Sequence, residues 1–209
     1  MAIDDISSIV YIVDDDAAVR DALSIFIQSK GMLVREFESA ESFLDHYNPE
    51  YSGCLILDVR MPHMNGLDLQ EQLLQRQISI PIIFMSGHAD IPDSVKALRA
   101  GAIDFFVKPF DNNLMMERVE EAIKLDFLER KHRLKELSLK KRIDRLTSRE
   151  REVLHLIIDN HTNKEVARML DISHRTIEAH RSQIMRKLEV ENLSELIKIY
   201  IQNIMPKDF

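Results

Sequence analysis

Residues 54–66 read CLILDVRMPHMNG, and this stretch decides the fold. Four uncharged residues, Cys54–Leu57, run straight into the carboxylate of Asp58, with Pro62 following four positions on. A run this short and this apolar is a strand covered on both faces, as in a parallel sheet. It ends on a charge, and that asks for an explanation. Asp58 could cap a turn or a helix, or it could be a reacting group.

Working outward, similar runs recur at Ile9–Val13, Met32–Phe37, Ile80–Met85 and Ile103–Val107. Between them Ala17–Lys30, Ala40–Tyr47, Leu67–Arg76 and Ile91–Ala100 carry helical spacing, and a fifth helix is expected to begin near Asn112. Gly31, Gly53, Gly101 and Pro81 punctuate the transitions. Five strands alternating with helices predict an α/β fold, a parallel doubly wound sheet with right-handed crossovers.

The alternation stops after Lys124. Residues 126–145 are charge-rich and lack Gly and Pro, which predicts an exposed helical linker. Beyond it the spacing predicts four short helices: Ser148–Asp159 opened by a Thr147–Glu150 capping box, Asn163–Leu170, His174–Leu188 and Asn192–Ile204. Asn160 suits a left-handed helix stop, and Asp171–Ser173 a tight turn. The expected domains are thus 1–125, a linker 126–145, and 146–209.

Charge divides along the same line. Residues 1–125 hold 10 Lys+Arg against 21 Asp+Glu, whereas residues 126–209 hold 18 against 14. An acidic module joined to a mildly basic one points to two kinds of partner. With 45% hydrophobic and 30% charged residues the chain has the composition of a globular protein, not a disordered one. No run approaches the ~18 apolar residues of a membrane span. MAIDDISS lacks the charged and apolar regions of a signal peptide. The single cysteine, Cys54, can form no internal disulfide, and a cytoplasmic location is expected. His88, His155, His161 and His180 suggest no metal site, and the ten methionines read as core filler.

In a doubly wound sheet ligands bind at the carboxyl ends of the strands. Those ends carry Asp14–Asp16, Asp58, Ser86 with Gly87, and Lys108 with Pro109. Singly, each reads as a cap, a turn residue or a surface lysine. Together they place carboxylates, a hydroxyl and an ammonium at one edge of one sheet, which suits phosphoryl transfer to an aspartate. Crowded carboxylates call for a cation, and all-oxygen donors select a hard one such as Mg2+.

These motifs resemble the receiver domains of bacterial two-component response regulators. The similarity is carried by VDDD (13–16), LILDVRMPHMNG (55–66) and FMSGHADIPDSVKALRAGAIDFFVKPF (84–110), the last similar to the FixJ-type subgroup. The resemblance implies a flavodoxin-like sheet of order 2-1-3-4-5, with Asp58 as phosphoacceptor. It implies Asp14 and Asp15 as an acidic pair, and Mg2+ held by these with Asp58 and the Arg60 carbonyl. It also implies Ser86 and Phe105 as a switch pair, Lys108 as the phosphate's partner, and a cis bond before Pro109. A phosphatase of the haloacid-dehalogenase type would need a second Asp two positions after Asp58. Arg60 stands there, so an enzyme is not expected.

In the basic half, 100° per residue over His174–Leu188 gathers Ile177, Ile184 and Leu188 on one stripe, with Arg175, Ala179, Ser182 and Arg186 opposite. Small, polar and basic residues on one helix face suit the DNA major groove, although an ordinary bundle helix has the same periodicity. LTSREREVLHLI (146–157) and NKEVARMLDISHRTIEAHRSQIMRKL (163–188) resemble the LuxR/NarL-type helix-turn-helix domain, an all-α four-helix unit. By that analogy Asn163, Lys164, Thr176, Arg181 and Lys187 favour phosphates, while Arg175, Glu178, Ala179 and Ser182 lie near bases. The whole then implies a transcription regulator phosphorylated by a sensor histidine kinase. It would form a homodimer on phosphorylation to bind double-stranded promoter DNA, with RNA polymerase a further partner. The competing expectation is a DNA-binding or protein-interaction module that works without phosphorylation.

Overall fold

The computed structural model describes residues 8–88, 91–192 and 194–196. It divides into two compact units, residues 1–131 and 132–209.

The first unit is a five-stranded parallel sheet. Strands β1 (Ile9–Val13), β2 (Leu33–Phe37), β3 (Gly53–Asp58), β4 (Ile82–Ser86) and β5 (Asp104–Val107) lie in the order β2-β1-β3-β4-β5. Every residue of β1, β3 and β4 is buried, as their unbroken apolar runs require, whereas the edge strands β2 and β5 are partly exposed. Helices α1 (Ala17–Ser29), α2 (Ala40–His46), α3 (Gly66–Gln75) and α4 (Ile91–Arg99) alternate with the strands, and α5 (Asn112–Asp144) follows β5. One core layer, built on Tyr11, Leu55, Leu57 and Phe84, packs with Leu69 and Leu73 of α3; the other, on Ile12, Ile56 and Met85, packs with Leu23, Ile27, Met116 and Val119.

Gly53 illustrates how closely the strands meet. A Cβ placed there would lie 1.9 Å from the Ile9 carbonyl oxygen of the neighbouring strand, so no larger residue fits.

The 126–145 stretch is helical to Asp144, as expected, but it is not uniformly solvated. Asp126 is 1% exposed: it accepts a hydrogen bond from the Gly53 amide at 2.9 Å and pairs with Arg130 at 2.6 Å. Arg130 in turn donates to the Pro49 carbonyl. The β3 start and the loop before it therefore grip the helix one turn beyond Ala122, which is buried in the sheet's core.

In the second unit, α6 (Ser148–Ile158), α7 (Asn163–Met169) and α8 (His174–Leu188) pack around Val153, Leu154, Ile157, Val166, Ile177, Ile184 and Leu188. Ile143 near the end of α5 joins this cluster. The Thr147–Glu150 capping box forms, and a second, Thr162–Glu165, opens α7. Asn160 takes the left-handed conformation, φ 66°, as its place after α6 demands. The expected helix 192–204 falls largely outside the described residues, of which 194–196 are helical.

Candidate functional site: a strand-end carboxylate cluster and a basic helix face

The parallel register aligns the strand ends. Val13 pairs with Leu57, Asp58 with Met85 and Ser86 with Val107, so Asp14, Asp58, Ser86 and Lys108 emerge along one edge. The Lys108 amide donates to the Ser86 carbonyl at 2.7 Å, and the Lys108–Pro109 peptide is cis.

Lys108 joins the two buried carboxylates. Its Nζ donates to Asp14 Oδ2 at 2.6 Å and to Asp58 Oδ1 at 2.7 Å, with Asp14 1% and Asp58 5% exposed. The second oxygen of each is also held: Asp58 Oδ2 accepts from the Arg60 amide at 2.7 Å, and Asp14 Oδ1 from the Asp16 amide at 2.9 Å. Burial pushes the Asp58 carboxyl pKa up; the Lys108 ammonium opposes this, and the charge of Asp14 reinforces it. Burial works against the Lys108 charge too, but the two carboxylates outweigh it, and its pKa is raised. The ammonium is therefore firmly charged, and Asp58 is a carboxylate more basic than an exposed one.

Glycine is required opposite this cluster. A Cβ on Gly66 would sit 2.2 Å from the Asp58 carbonyl oxygen, while the Gly66 amide donates to the Val59 carbonyl. The MNG turn thus packs directly on the backbone that presents Asp58.

Other expected side chains fall at the same edge and engage partners of their own. Ser86 is buried, and its hydroxyl accepts from the His88 amide at 3.3 Å. Phe105 is half-buried and stacks on Phe84, with centroids 6.2 Å apart. Asp15 is exposed, and Asp16 caps α1 by accepting from the Ala18 amide. Arg20 was not singled out by the sequence. It donates to the Asp14 carbonyl at 2.7 Å, a contact across a helical turn that no motif signals.

The donor chemistry fits a hard divalent cation, since two buried carboxylates share one ammonium and a third, Asp15, follows Asp14 in the chain. Among the described residues, no three acidic, His or Cys side chains stand together as a ready cage.

On α8 the apolar stripe is buried as predicted: Ile177, Ile184 and Leu188 are at most 1% exposed. Arg175, Thr176, Glu178, Ala179 and Ser182 are exposed, as is Lys164 at the start of α7. Arg181 and Asn163 are brought together, the guanidinium donating to Asn163 Oδ1 at 2.5 Å. Lys187 donates to Glu150 at 2.6 Å and to the Arg145 carbonyl at 3.3 Å, so its ammonium ties α8 to the start of α6. His174 lies 3.5 Å from Glu178.

Glu150 gives this unit a pH dependence. Burial raises its pKa, but Lys187 and the Thr147 amide outweigh burial and hold it below its ordinary value of 4.5. Its stabilisation is therefore complete above that value and lost as pH falls through the lowered one. Replacing Glu150 with alanine is expected to cost about 1–2 kcal/mol at neutral pH. Amide exchange in α6 and α8 should rise in the variant at pH 7 and match the wild type once the acid is protonated.

Residues 10–120 match the response regulator receiver domain family, and residues 144–200 the luxR family of bacterial regulatory proteins. The chain is 45% identical over 195 residues to the response regulator protein TodT of Pseudomonas putida, covering 93% of this chain and 86% of TodT. It is 37% identical over 199 residues to the transcriptional regulatory protein FixJ of Bradyrhizobium diazoefficiens, covering 95% and 97%. Among solved structures, the response regulator StyR is similar at TM-score 0.87 and 40% identity, covering 94% of this chain and 99% of that one.

Proposed function

The chain belongs to the two-component response regulators that pair a receiver domain with a LuxR-type DNA-binding domain, and on that premise we propose that phosphorylation of Asp58 switches it to its DNA-binding dimer. Such regulators are transcription factors, not enzymes that turn over a substrate. In this reading residues 1–125 are the receiver, 126–145 a helical linker and 146–209 the DNA-binding domain. The linker's first turns are anchored on the receiver by Asp126 and Arg130. The observation that carries the proposal is the Lys108 ammonium bridging Asp58 and Asp14 at the sheet's carboxyl edge.

A sensor histidine kinase is the donor. An Asp58 carboxylate oxygen forms a bond to phosphorus as the P–N bond to the donor imidazole breaks, and the electron pair leaves on nitrogen. Lys108 then neutralises a phosphoryl oxygen. Bound Mg2+ would supply the remaining charge neutralisation in this largely electrostatic transfer, held by Asp14, Asp15, Asp58 and the Arg60 carbonyl. Ser86 follows the phosphoryl group through its hydroxyl, and Phe105 rotates toward the space it leaves. The face formed by α4 and β5 is remodelled, favouring a receiver homodimer.

Paired α8 helices then read two half-sites of promoter DNA. Arg175, Glu178, Ala179 and Ser182 lie near bases; Lys164, Thr176, Asn163 and Arg181 approach phosphates. Lys187 shares its charge between Glu150 and the backbone. RNA polymerase is a further partner, and the cytoplasm the compartment. Among the described residues no helix is long and apolar enough to cross a membrane.

Genomic fragments selected by the protein provide the test. With acetyl phosphate and Mg2+, wild-type affinity for them should rise about 10-fold or more, and Asp58→Asn should show no rise. An equal rise in the variant would overturn the switch. Affinity already maximal without the donor would instead favour a DNA-binding module independent of phosphorylation.

A further inference from the structure

Helix α4 is sparsely rooted. It buries one residue, Ala97, where α1 buries three, α2 two and α3 five. Its larger apolar residues Ile91, Val95 and Leu98 are 74%, 42% and 45% exposed. Burial of apolar surface is what fixes a helix on a sheet, so α4 has little of the usual attachment.

A polar peg stands where apolar packing is thin. Gln70 of α3 is 3% exposed, and its Nε2 donates to the Ala97 carbonyl at 3.1 Å. That carbonyl also accepts from the Ala102 amide at 3.1 Å. The one residue that α4 buries is therefore the residue the amide holds. Gln70 shares α3 with Leu69 and Leu73, both buried in the apolar layer that Ala97 joins. A methionine or leucine would fill such a place without the cost of desolvating an amide. What glutamine adds is direction: a bond that ends on one carbonyl of one helix.

We propose that Gln70 is a positioning residue that holds α4 in its phosphoryl-free seat, so that phosphorylation works against this tether. The inference rests on the reading of Asp58 as phosphoacceptor. In this structure Lys108 bridges both carboxylates, and α4 follows β4, which ends on Ser86. Loss of the peg therefore shifts the population toward the rearranged face before any phosphate arrives. The bond's ordinary worth corresponds to about a 3- to 10-fold shift.

Gln70→Met keeps the volume and removes the donor; Gln70→Glu keeps the shape and turns an oxygen toward the carbonyl. Hydrogen exchange on the unphosphorylated full chain is the readout. Amides of Ala100, Gly101 and Ala102, which close the end of α4, should exchange about 3- to 10-fold faster in both variants. Amides of Leu55 in β3 and of Val59 just beyond it should not change, and unphosphorylated DNA binding should rise by a similar factor. Unchanged exchange in α4, or the same acceleration throughout the sheet, would overturn the tether. Phosphoryl labelling of each protein separates the two ideas. A wild type that takes no label at Asp58 sinks the phosphorylation reading, while the exchange pattern still decides whether Gln70 holds α4.

Discussion

Lys108→Met is expected to destabilise the sheet-bearing unit by about 3 kcal/mol at neutral pH, and to remove the phosphorylation-dependent gain in DNA binding. Asp14 and Asp58 are 1% and 5% exposed, and the ammonium lies within 2.7 Å of an oxygen of each. Without it, two buried carboxylates face one another. Breaking a buried pair by deleting one partner costs more than the pair itself contributes, because an uncompensated charge is left behind. The sign of the pH dependence follows. Asp58 is already pushed upward by burial, so the deficit is greatest where it is ionised and closes as pH falls and it protonates. Because the donors suit a hard cation, added Mg2+ should raise the melting temperature of Lys108→Met more than that of the wild type. Denaturant titrations at several pH values, with and without Mg2+, check each part.

Arg130→Met should be nearly as costly, about 3 kcal/mol, although it lies far along the chain from any signature motif. Asp126 is held by the Gly53 amide at 2.9 Å and the Arg130 guanidinium at 2.6 Å, and Arg130 also donates to the Pro49 carbonyl. The variant leaves a buried carboxylate with one amide donor. Burial already raises the Asp126 pKa against the pull of Arg130, so the deficit again shrinks in acid. Asp126→Asn combined with Arg130→Met leaves no buried charge, and stability should recover in part. A double variant no more stable than Arg130→Met alone would show that the charge is not the cause.

The contrast between these two lysine and arginine sites says what a sequence can reveal. Lys108 was legible because strand ends in a doubly wound sheet converge, and periodicity locates the strands. β1, β3 and β4 are covered on both faces, so their apolar runs are unbroken and their ends sharp. Asp126 was not legible. Its i,i+4 spacing to Arg130 reads as a surface ion pair on a polar helix, and only packing against Gly53 and Pro49, more than seventy residues away in the chain, buries it. Gly66 closes the CLILDVRMPHMNG stretch, yet its reason, a backbone within 2.2 Å, is a fact of three dimensions. Lys187 shows the same limit on α8. By analogy with the LuxR-type domain it favours a phosphate, whereas a carboxylate 37 residues earlier in the chain already engages it. Gln70 would pass as an ordinary polar helix position; its burial depends on where α4 settles. What was clear from pattern alone was the sheet, the buried stripe of α8 and the Thr147 capping box, all fixed by local or short-period rules.

The central claim is that Asp58 carries the phosphoryl group, and mass spectrometry after treatment with acetyl phosphate and Mg2+ tests it most directly. One phosphoryl group per chain, mapped to the peptide that contains Asp58 and absent from Asp58→Asn, is the predicted result. Equal labelling of the variant, or a label on another peptide, would contradict it.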